Sequence, residues 1–224
     1  MVLVTDLSPS AQDYLKAIWG LQEWSSDPVS TTMIAQRVGV KLSTASDAVR
    51  KLTDQGLVEH LRYGSVGLTE SGRRLAVAMV RRHRLIESFL VRVLKYGWDQ
   101  VHDEAEHLEH VVSELMVERI DEFLGFPARD PHGDPIPSAE GVIQYPEAVV
   151  LAEAAAGARV RVKRISDSDA AMLQYFAEQG IVVDTDLEVL PAGPYSEAVV
   201  VRVAGTTEPV SLGAAASNSV WVSA

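Results

Sequence analysis

Imidazole and carboxylate groups are concentrated in residues 102–110, which read His-Asp-Glu-Ala-Glu-His-Leu-Glu-His. The segment and the residues after it lack proline and glycine, so the pattern predicts a helix. At about 100° per residue, His102, Glu106, Glu109 and His110 would lie within a sector of about 100°. Imidazole nitrogens and carboxylate oxygens on one face suit a divalent transition metal. The segment therefore predicts a metal site.

The same segment also fits an acidic, exposed helix face with two incidental histidines. A solvated face usually carries Lys or Arg four residues from its acids, because such pairs offset like-charge repulsion. No Lys or Arg occurs between Gly97 and Arg119. This absence favours a metal site but leaves the alternative open.

Two other segments carry metal-binding side chains at helical positions. His83 and Glu87 are four residues apart in a predicted helix and project the same way, although an ordinary His–Glu pair would give this spacing. Asp13 lies early in the predicted first helix, where the helix dipole alone favours an acid. Neither observation is specific by itself.

Composition excludes several classes of protein. The chain of 224 residues has no cysteine, which excludes thiolate zinc sites, iron–sulfur clusters and cysteine nucleophiles. No apolar run reaches the roughly 18 residues of a membrane span, and the N-terminus has no signal-peptide pattern. We therefore expect a soluble, cytoplasmic protein without membrane contact. No phosphate loop, dinucleotide fingerprint or Ser-His-Asp order occurs, so we expect neither an enzyme nor a small organic substrate.

Positive charge is concentrated in residues 37–84, which carry ten Lys or Arg and four acids, although the whole chain has a net charge of −11. A basic segment in an acidic chain is what local phosphate contact requires. The segment begins inside a predicted winged helix-turn-helix.

The winged helix-turn-helix consists of predicted helices at 29–38 and 43–52, a turn at Gly39, and two strands around Gly64. This layout also occurs in protein-interaction modules and inside enzymes, but basic charge on its reading elements favours DNA. The predicted DNA contacts are Lys41, Ser43, Thr44, Ser46, Arg50, Lys51 and Arg62.

The remaining elements predict two more regions. After Ser71 one long helix is expected, and a second from His102 to Leu124. The second carries an apolar stripe that serves either as core or as a dimer interface. The stripe consists of Val112, Leu115, Met116, Ile120 and Phe123.

The C-terminal part changes character after the Pro- and Gly-rich segment 127–146. Alternating or β-branched runs predict a small SH3-like β-barrel with a short helix at 170–176. The predicted strands are 158–165, 187–190, 198–203, 209–212 and 220–222. The predicted domains are 1–74 (winged helix-turn-helix), 75–140 (metal binding and dimerisation), 141–157 (linker) and 158–224 (SH3-like).

This mainly α fold with a small β domain resembles the diphtheria-toxin-repressor family of metal-activated transcription factors over essentially the whole chain. The motifs that carry the resemblance are Arg82-His83-Arg84-Leu85, Val101-His102-Asp103-Glu104-Ala105, Glu109-His110 and His132-Gly133-Asp134-Pro135-Ile136-Pro137. The resemblance implies a homodimer that binds an inverted-repeat operator in double-stranded DNA.

The resemblance also implies two metal sites per subunit. The primary site would use Asp13, Glu106, Glu109 and His110. The ancillary site would use His83, Glu87, His102 and Asp169 from the β domain, with Asp167 as a rival. His132 is expected to be a plain loop residue.

Two positions favour manganese. Iron-responsive members have methionine where this chain has Asp13 and cysteine where it has Glu106. Carboxylate oxygens suit the hard Mn(II) ion better than sulfur does. Lys16 stands where some manganese regulators carry a further acid, which disfavours a closely paired dinuclear site.

We therefore expect a manganese(II)-activated repressor of metal-uptake and homeostasis genes. An iron(II)-dependent repressor of the same family is the alternative. A metal-dependent hydrolase is more remote, because of the wing and recognition helix. The stability order of divalent metals also predicts that Fe(II), Co(II) or Zn(II) bind in vitro.

Overall fold

The computed structural model describes residues 4–61, 64–193 and 195–223. The chain forms two compact units. The first unit comprises residues 1–83, 109–112 and 137–142, and the second comprises 84–108, 113–136 and 143–224. Within the described ranges, no helix has the length and apolar character needed to cross a membrane.

The first unit contains a winged helix-turn-helix. Its elements are α1 (Pro9–Glu23), α2 (Thr31–Val38), α3 (Leu42–Asp54), β1 (Val58–His60), β2 (Val66–Leu68) and the first part of α4 (Glu70–Arg92). The Ser8 side chain caps α1 by accepting the Ala11 N–H, and Ser30 caps α2 in the same way. Gly39 ends α2 with φ of 71°, a left-handed conformation that glycine adopts without a Cβ clash.

The helices of this unit are held by a small apolar core. Leu15 and Ile18 on α1, Ile34 on α2, Val49 on α3 and Val66 on β2 are all buried. The strands β1 and β2 pair antiparallel, with Val58 opposite Leu68. The predicted winged helix-turn-helix is confirmed, and its recognition helix α3 is packed directly against α1 and α2.

The second unit combines helices with a β domain. Its elements are the end of α4, α5 (Val101–Leu108), α6 (Glu114–Leu124), β3 (Ala148–Val150), β4 (Arg159–Ile165), α7 (Ala170–Glu178), β5 (Asp186–Leu190), β6 (Val199–Val203), β7 (Pro209–Leu212), α8 (Ala214–Ser217) and β8 (Val220–Ser223). The six-stranded sheet has the order β3-β8-β4-β5-β6-β7. Phe176 and Leu173 on α7 are buried in its core with Ile165 and Val220.

One strand lies where the sequence predicted a linker. Residues 148–150 pair antiparallel with β8, so that Ala148 is opposite Ser223. The predicted linker 141–157 therefore includes the first strand of the sheet. The run Ala-Val-Val gives a weak strand signal because it is only three residues long.

The prediction of one helix from His102 to Leu124 was wrong. Helix α5 ends at Leu108, and α6 begins only at Glu114. Between them, Nη1 of Arg82 donates hydrogen bonds to the carbonyl oxygens of Glu109 (2.9 Å) and Val112 (3.2 Å). A guanidinium thus satisfies acceptors that helix continuation would otherwise have satisfied. As a result, Glu109 and His110 lie in a turn rather than on the helix face.

Candidate metal centre

Asp13, Glu109 and His110 converge in the first unit. Helix α1 presents Asp13, and the turn after α5 presents Glu109 and His110. His110 Nε2 lies 2.9 Å from Asp13 Oδ1 and 3.8 Å from Glu109 Oε1. The ligand atoms of the three residues are within 4.8 Å of one another. The Glu109 side chain is fully buried.

Glu109 is held as an anion by two neighbours. His83 Nδ1 lies 2.5 Å from its Oε2, and Lys16 Nζ lies 2.5 Å from its Oε1. Burial alone would raise the pKa of the Glu109 carboxyl, but hydrogen bonds and charge from His83 and Lys16 outweigh burial and lower that pKa below its usual value. Lys16, predicted to disfavour a dinuclear site, therefore supplies a positive charge beside this carboxylate.

The chemistry of these atoms fits a hard divalent cation. Ligands bound to one such ion at about 2.0–2.2 Å lie no more than about 4.4 Å apart, close to the spread of these three residues. The imidazole nitrogen and the carboxylate of Asp13 are both electron-pair donors that face each other at 2.9 Å. A cation favours this arrangement because both groups can coordinate it.

A second cluster lies within the second unit. His102 Nδ1 is 3.4 Å from Glu87 Oε1 and 3.5 Å from Asp167 Oδ2, and these ligand atoms lie within 4.8 Å of one another. The other ring nitrogen of His102, Nε2, is 3.6 Å from Glu106 Oε1. His83 lies one helical turn before Glu87 on α4.

Asp169 is not part of this cluster. Its carboxylate accepts the Met172 N–H at 3.1 Å and caps α7, and its side chain is exposed. Asp167, two residues earlier, is the acid beside His102. The two acids differ because Asp169 caps α7. A side chain that caps a helix N-terminus points toward the N–H groups of that helix, so the Asp169 carboxylate does not point toward His102.

His132 was expected to be a plain loop residue, and that expectation was wrong. Its side chain is fully buried. The ring stacks on Trp98 with centroids 5.7 Å apart, and Nε2 lies 2.7 Å from the Trp98 carbonyl oxygen. Its Nδ1 faces Glu87 Oε2 at 4.0 Å. Glu87, Asp130 and His132 form a further carboxylate–imidazole group whose ligand atoms lie within 4.8 Å of one another.

Sequence reasoning missed this group because the segment has the composition of a linker. Proline, glycine and aspartate normally indicate a solvated turn. Here, however, Asp130 Oδ1 accepts the N–H groups of His132 (2.8 Å) and Asp134 (2.9 Å), which folds the loop into a compact, buried turn. The sequence signal for this group was the motif at residues 132–137, one of those that carry the family resemblance.

The predicted DNA contacts lie on the outer face of the recognition helix. Helix α3 buries Ala45, Val49 and Leu52 and turns its other face to solvent. The residues exposed on or beside that face are Lys41, Ser43, Thr44, Ser46, Arg50 and Lys51. Arg62 lies outside the described residues.

Sequence models of three domains match successive parts of the chain. The N-terminal DNA-binding domain of iron-dependent repressors matches residues 6–66, and their metal-binding and dimerisation domain matches residues 69–138. The FeoA domain matches residues 149–224. The iron-dependent repressor IdeR of Mycobacterium leprae is 31% identical over 205 residues, which cover 85% of this chain and 88% of that protein. The chain belongs to the iron-dependent repressor family.

Other members of the iron-dependent repressor family match over shorter ranges. IdeR of Mycobacterium tuberculosis is 37% identical over 134 residues, 60% of this chain and 58% of its own length. The alignment therefore spans little more than half of that relative.

Solved structures extend the comparison to nearly the whole chain. A manganese-dependent transcriptional repressor in complex with manganese has a TM-score of 0.91 and 53% identity, covering 96% of this chain and 99% of the other. The manganese regulator SloR has a TM-score of 0.81 and 31% identity, with the same coverage. The resemblance and the fold class predicted from the sequence are confirmed.

Replacing Asp167 or Asp169 by asparagine, one at a time, should separate metal binding from helix capping. Asp167→Asn is expected to weaken metal binding at the second cluster of this family member, because it removes a carboxylate 3.5 Å from His102. Asp169→Asn is expected to leave metal affinity unchanged, since asparagine also caps helices. Isothermal titration with Mn(II) checks both variants. Equal losses of affinity in both would contradict the assignment.

The metal-free protein is expected to lose stability as pH rises from about 4 to about 8. Burial, then Asp134 and Glu87, raise the pKa of Asp130 from 3.8 to about 8. Burial lowers the pKa of His132, but Glu87, Asp130 and Asp167 outweigh it and raise that pKa above 6.5. Both groups hold their protons more tightly in the folded state, so this stabilisation is lost with rising pH at up to about 1.4 kcal/mol per pH unit for each proton.

Thermal unfolding after chelation at several pH values measures this loss. Asp130→Asn keeps the side-chain oxygen that accepts two backbone N–H groups but cannot ionise. It should flatten the decline, and an unchanged decline would mean that Asp130 does not cause it.

Proposed function

We propose that this chain is a manganese(II)-activated, DNA-binding transcriptional repressor that controls genes of metal uptake and homeostasis. The observation that carries the proposal is the convergence of Asp13, Glu109 and His110, a set of oxygen and nitrogen ligands without sulfur. The hard carboxylate oxygens of Asp13 and Glu109 suit Mn(II). The 53% identity with a manganese-dependent repressor supports the same metal.

The proposed primary site contains Asp13, Glu106, Glu109 and His110. Glu106 precedes His110 by four residues, and the family resemblance implies it as a ligand. The proposed ancillary site contains His83, Glu87, His102 and Asp167. His83 Nδ1 also donates a hydrogen bond to Glu109 Oε2 at 2.5 Å, so it directly links residues assigned to the two sites.

The role of the metal follows from what α1 contacts. Bound Mn(II) would supply a positive charge that offsets the negative charges of Asp13 and Glu109. Asp13 would then be held beside Glu109 and His110, which restrains α1. Because α1 packs on α2 and α3, restraint of α1 also restrains the recognition helix. A recognition helix held in one pose binds operator DNA more tightly, because less conformational freedom is lost on binding.

Homodimerisation is proposed through α6. Leu115, Met116 and Phe123 are 61%, 48% and 70% exposed, whereas Ile120 of the predicted stripe is buried. Three large apolar side chains exposed on one helix form a patch that a second copy would cover. Two copies would present two recognition helices to the half-sites of an inverted repeat.

Leu115→Glu is expected to weaken the dimer by at least about tenfold, because a charge would be buried within the apolar patch. The substitution should not disturb α6 itself, since an acid is favoured in the first turn of a helix. Analytical ultracentrifugation measures the dimer dissociation constant. Val182→Glu, an exposed apolar position in the β domain, is the control. A Leu115→Glu variant that dimerises like the control would exclude this face.

The proposed function is tested by operator binding with and without Mn(II). Fluorescence anisotropy of an inverted-repeat duplex selected from random sequence should report an affinity that rises with free Mn(II) and is lost after chelation. Binding that is equally strong after thorough chelation would refute the proposal. Salt should also weaken binding steeply, because most contacts would be to phosphate.

Iron(II) is the alternative activator, since curated relatives are iron-dependent repressors. The same assay under anaerobic conditions compares the two metals at equal free concentration. Activation by Fe(II) at concentrations where Mn(II) has no effect would favour the alternative.

A further inference from the structure

Gln12 is buried beside the candidate primary site and bonds in three directions. The residue is only 3% exposed. Nε2 donates to the carbonyl oxygens of Val4 at 2.9 Å and Leu7 at 3.1 Å. Oε1 lies 2.7 Å from His110 Nδ1. Gln12 directly precedes Asp13, whose carboxylate lies at the opposite nitrogen of the same imidazole.

These bonds determine which way the Gln12 amide points. A carboxamide has two N–H donors on nitrogen and only acceptor sites on oxygen. Both donors are used by the carbonyl groups of Val4 and Leu7, so Oε1 must be the atom that faces His110. An oxygen that can only accept requires a proton on His110 Nδ1. The neutral imidazole therefore keeps its lone pair on Nε2, 2.9 Å from Asp13 Oδ1.

We propose that Gln12 is a positioning residue for metal binding: it fixes the tautomer and ring orientation of His110 so that Nε2 is ready to ligate. The inference rests on the proposed function, because it assigns the His110 site to a metal. A ligating histidine generally needs a partner for its other ring nitrogen, and loss of that partner typically lowers metal affinity about 10- to 100-fold.

A purely structural role for Gln12 has to be separated from this one. The two bonds to Val4 and Leu7 also tie residues 4–7 to α1, so any substitution could act through the N-terminal segment. Gln12→Leu and Gln12→Glu both remove the two N–H donors. Only Gln12→Glu keeps an oxygen acceptor for His110 Nδ1. A comparison of these two variants isolates the acceptor.

The first measurement is made without metal. Nitrogen-15 NMR of the imidazoles at about pH 8.5, where an ordinary histidine is neutral, reports which nitrogen of His110 carries the proton. The His110 signals are identified by their loss in His110→Asn. The wild type and Gln12→Glu should carry the proton on Nδ1, and Gln12→Leu should give a mixture of tautomers. A wild-type proton on Nε2, or an unchanged Nδ1–H in Gln12→Leu, would overturn the inference.

The second measurement is Mn(II) affinity by competition with a chelating dye. Gln12→Leu is expected to bind about 10- to 100-fold more weakly, whereas Gln12→Glu should remain within about threefold of the wild type. Gln36→Leu, on the exposed face of α2, is the control for loss of a glutamine. Equal weakening in Gln12→Leu and Gln12→Glu would assign Gln12 a structural role only.

The two measurements separate the inference from the proposed function. A wild type that binds no Mn(II) at Asp13 and His110 refutes the proposed function, even if the tautomer is as expected. A wild type that binds Mn(II), together with a Gln12→Leu variant of equal affinity, refutes this inference alone.

Discussion

Replacing Glu109 by glutamine is expected to abolish the gain in operator affinity that Mn(II) produces. Glu109 is fully buried, and both of its oxygens are in use, one facing Lys16 and the other His83. The substitution keeps the shape of the side chain but removes the negative charge that would bind the metal. Coupling between an effector and a ligand typically changes affinity about 5- to 150-fold, and in this variant the change should fall below about twofold.

Anisotropy titrations of operator DNA with and without Mn(II) measure this effect. Glu178→Gln on the exposed surface of α7 makes the same chemical change away from both candidate sites and should retain the full response. Metal-free operator affinity should be similar in the two variants. A Glu109→Gln variant that still responds like the control would exclude Glu109 as a ligand.

Gly133→Ala is expected to destabilise the second unit by about 3 kcal/mol or more. Gly133 has φ of +91°, and an added Cβ would lie 2.1 Å from the backbone oxygen of Lys163. The loop cannot easily move away. The His132 carbonyl accepts the Ile165 N–H at 2.9 Å, and Asp134 Oδ1 accepts from Arg164 Nε at 2.7 Å.

Gly157→Ala is the matched control. Its φ is +87°, but no atom lies within 4 Å of an added Cβ, so it carries the backbone strain without the clash. Urea unfolding of both variants should therefore give a smaller loss, of about 1 kcal/mol, for Gly157→Ala. Equal losses would mean that close packing of Gly133 on β4 contributes nothing to stability.

Local signals explain why some helix boundaries could be predicted. Ser8 and Pro9 start α1 because the serine oxygen caps an N–H three residues on and proline suits the first helical turn. Gly39 ends α2 because the required φ is positive. Each of these effects acts within one turn of the chain. The residues that make the effect are therefore neighbours in the sequence.

Distant contacts explain where prediction failed. The break after Leu108 depends on Arg82, which lies 27 residues before Glu109 in sequence and offers no signal near the break. The burial of His132 depends on Trp98, 34 residues earlier. The choice between Asp167 and Asp169 depends on which side chain faces His102, and the sequence alone gives two acids of similar spacing.

The sequence by itself determined the family, the winged helix-turn-helix, the β domain and the residue types of the candidate metal ligands, because these follow from composition, periodicity and local motifs. Only the tertiary structure decided that Asp13 meets Glu109 and His110, that Asp167 rather than Asp169 faces His102, and that Gln12 lies within hydrogen-bond distance of His110. Those outcomes depend on directions of side chains from separate segments, and such directions are set by packing between elements rather than by order along the chain.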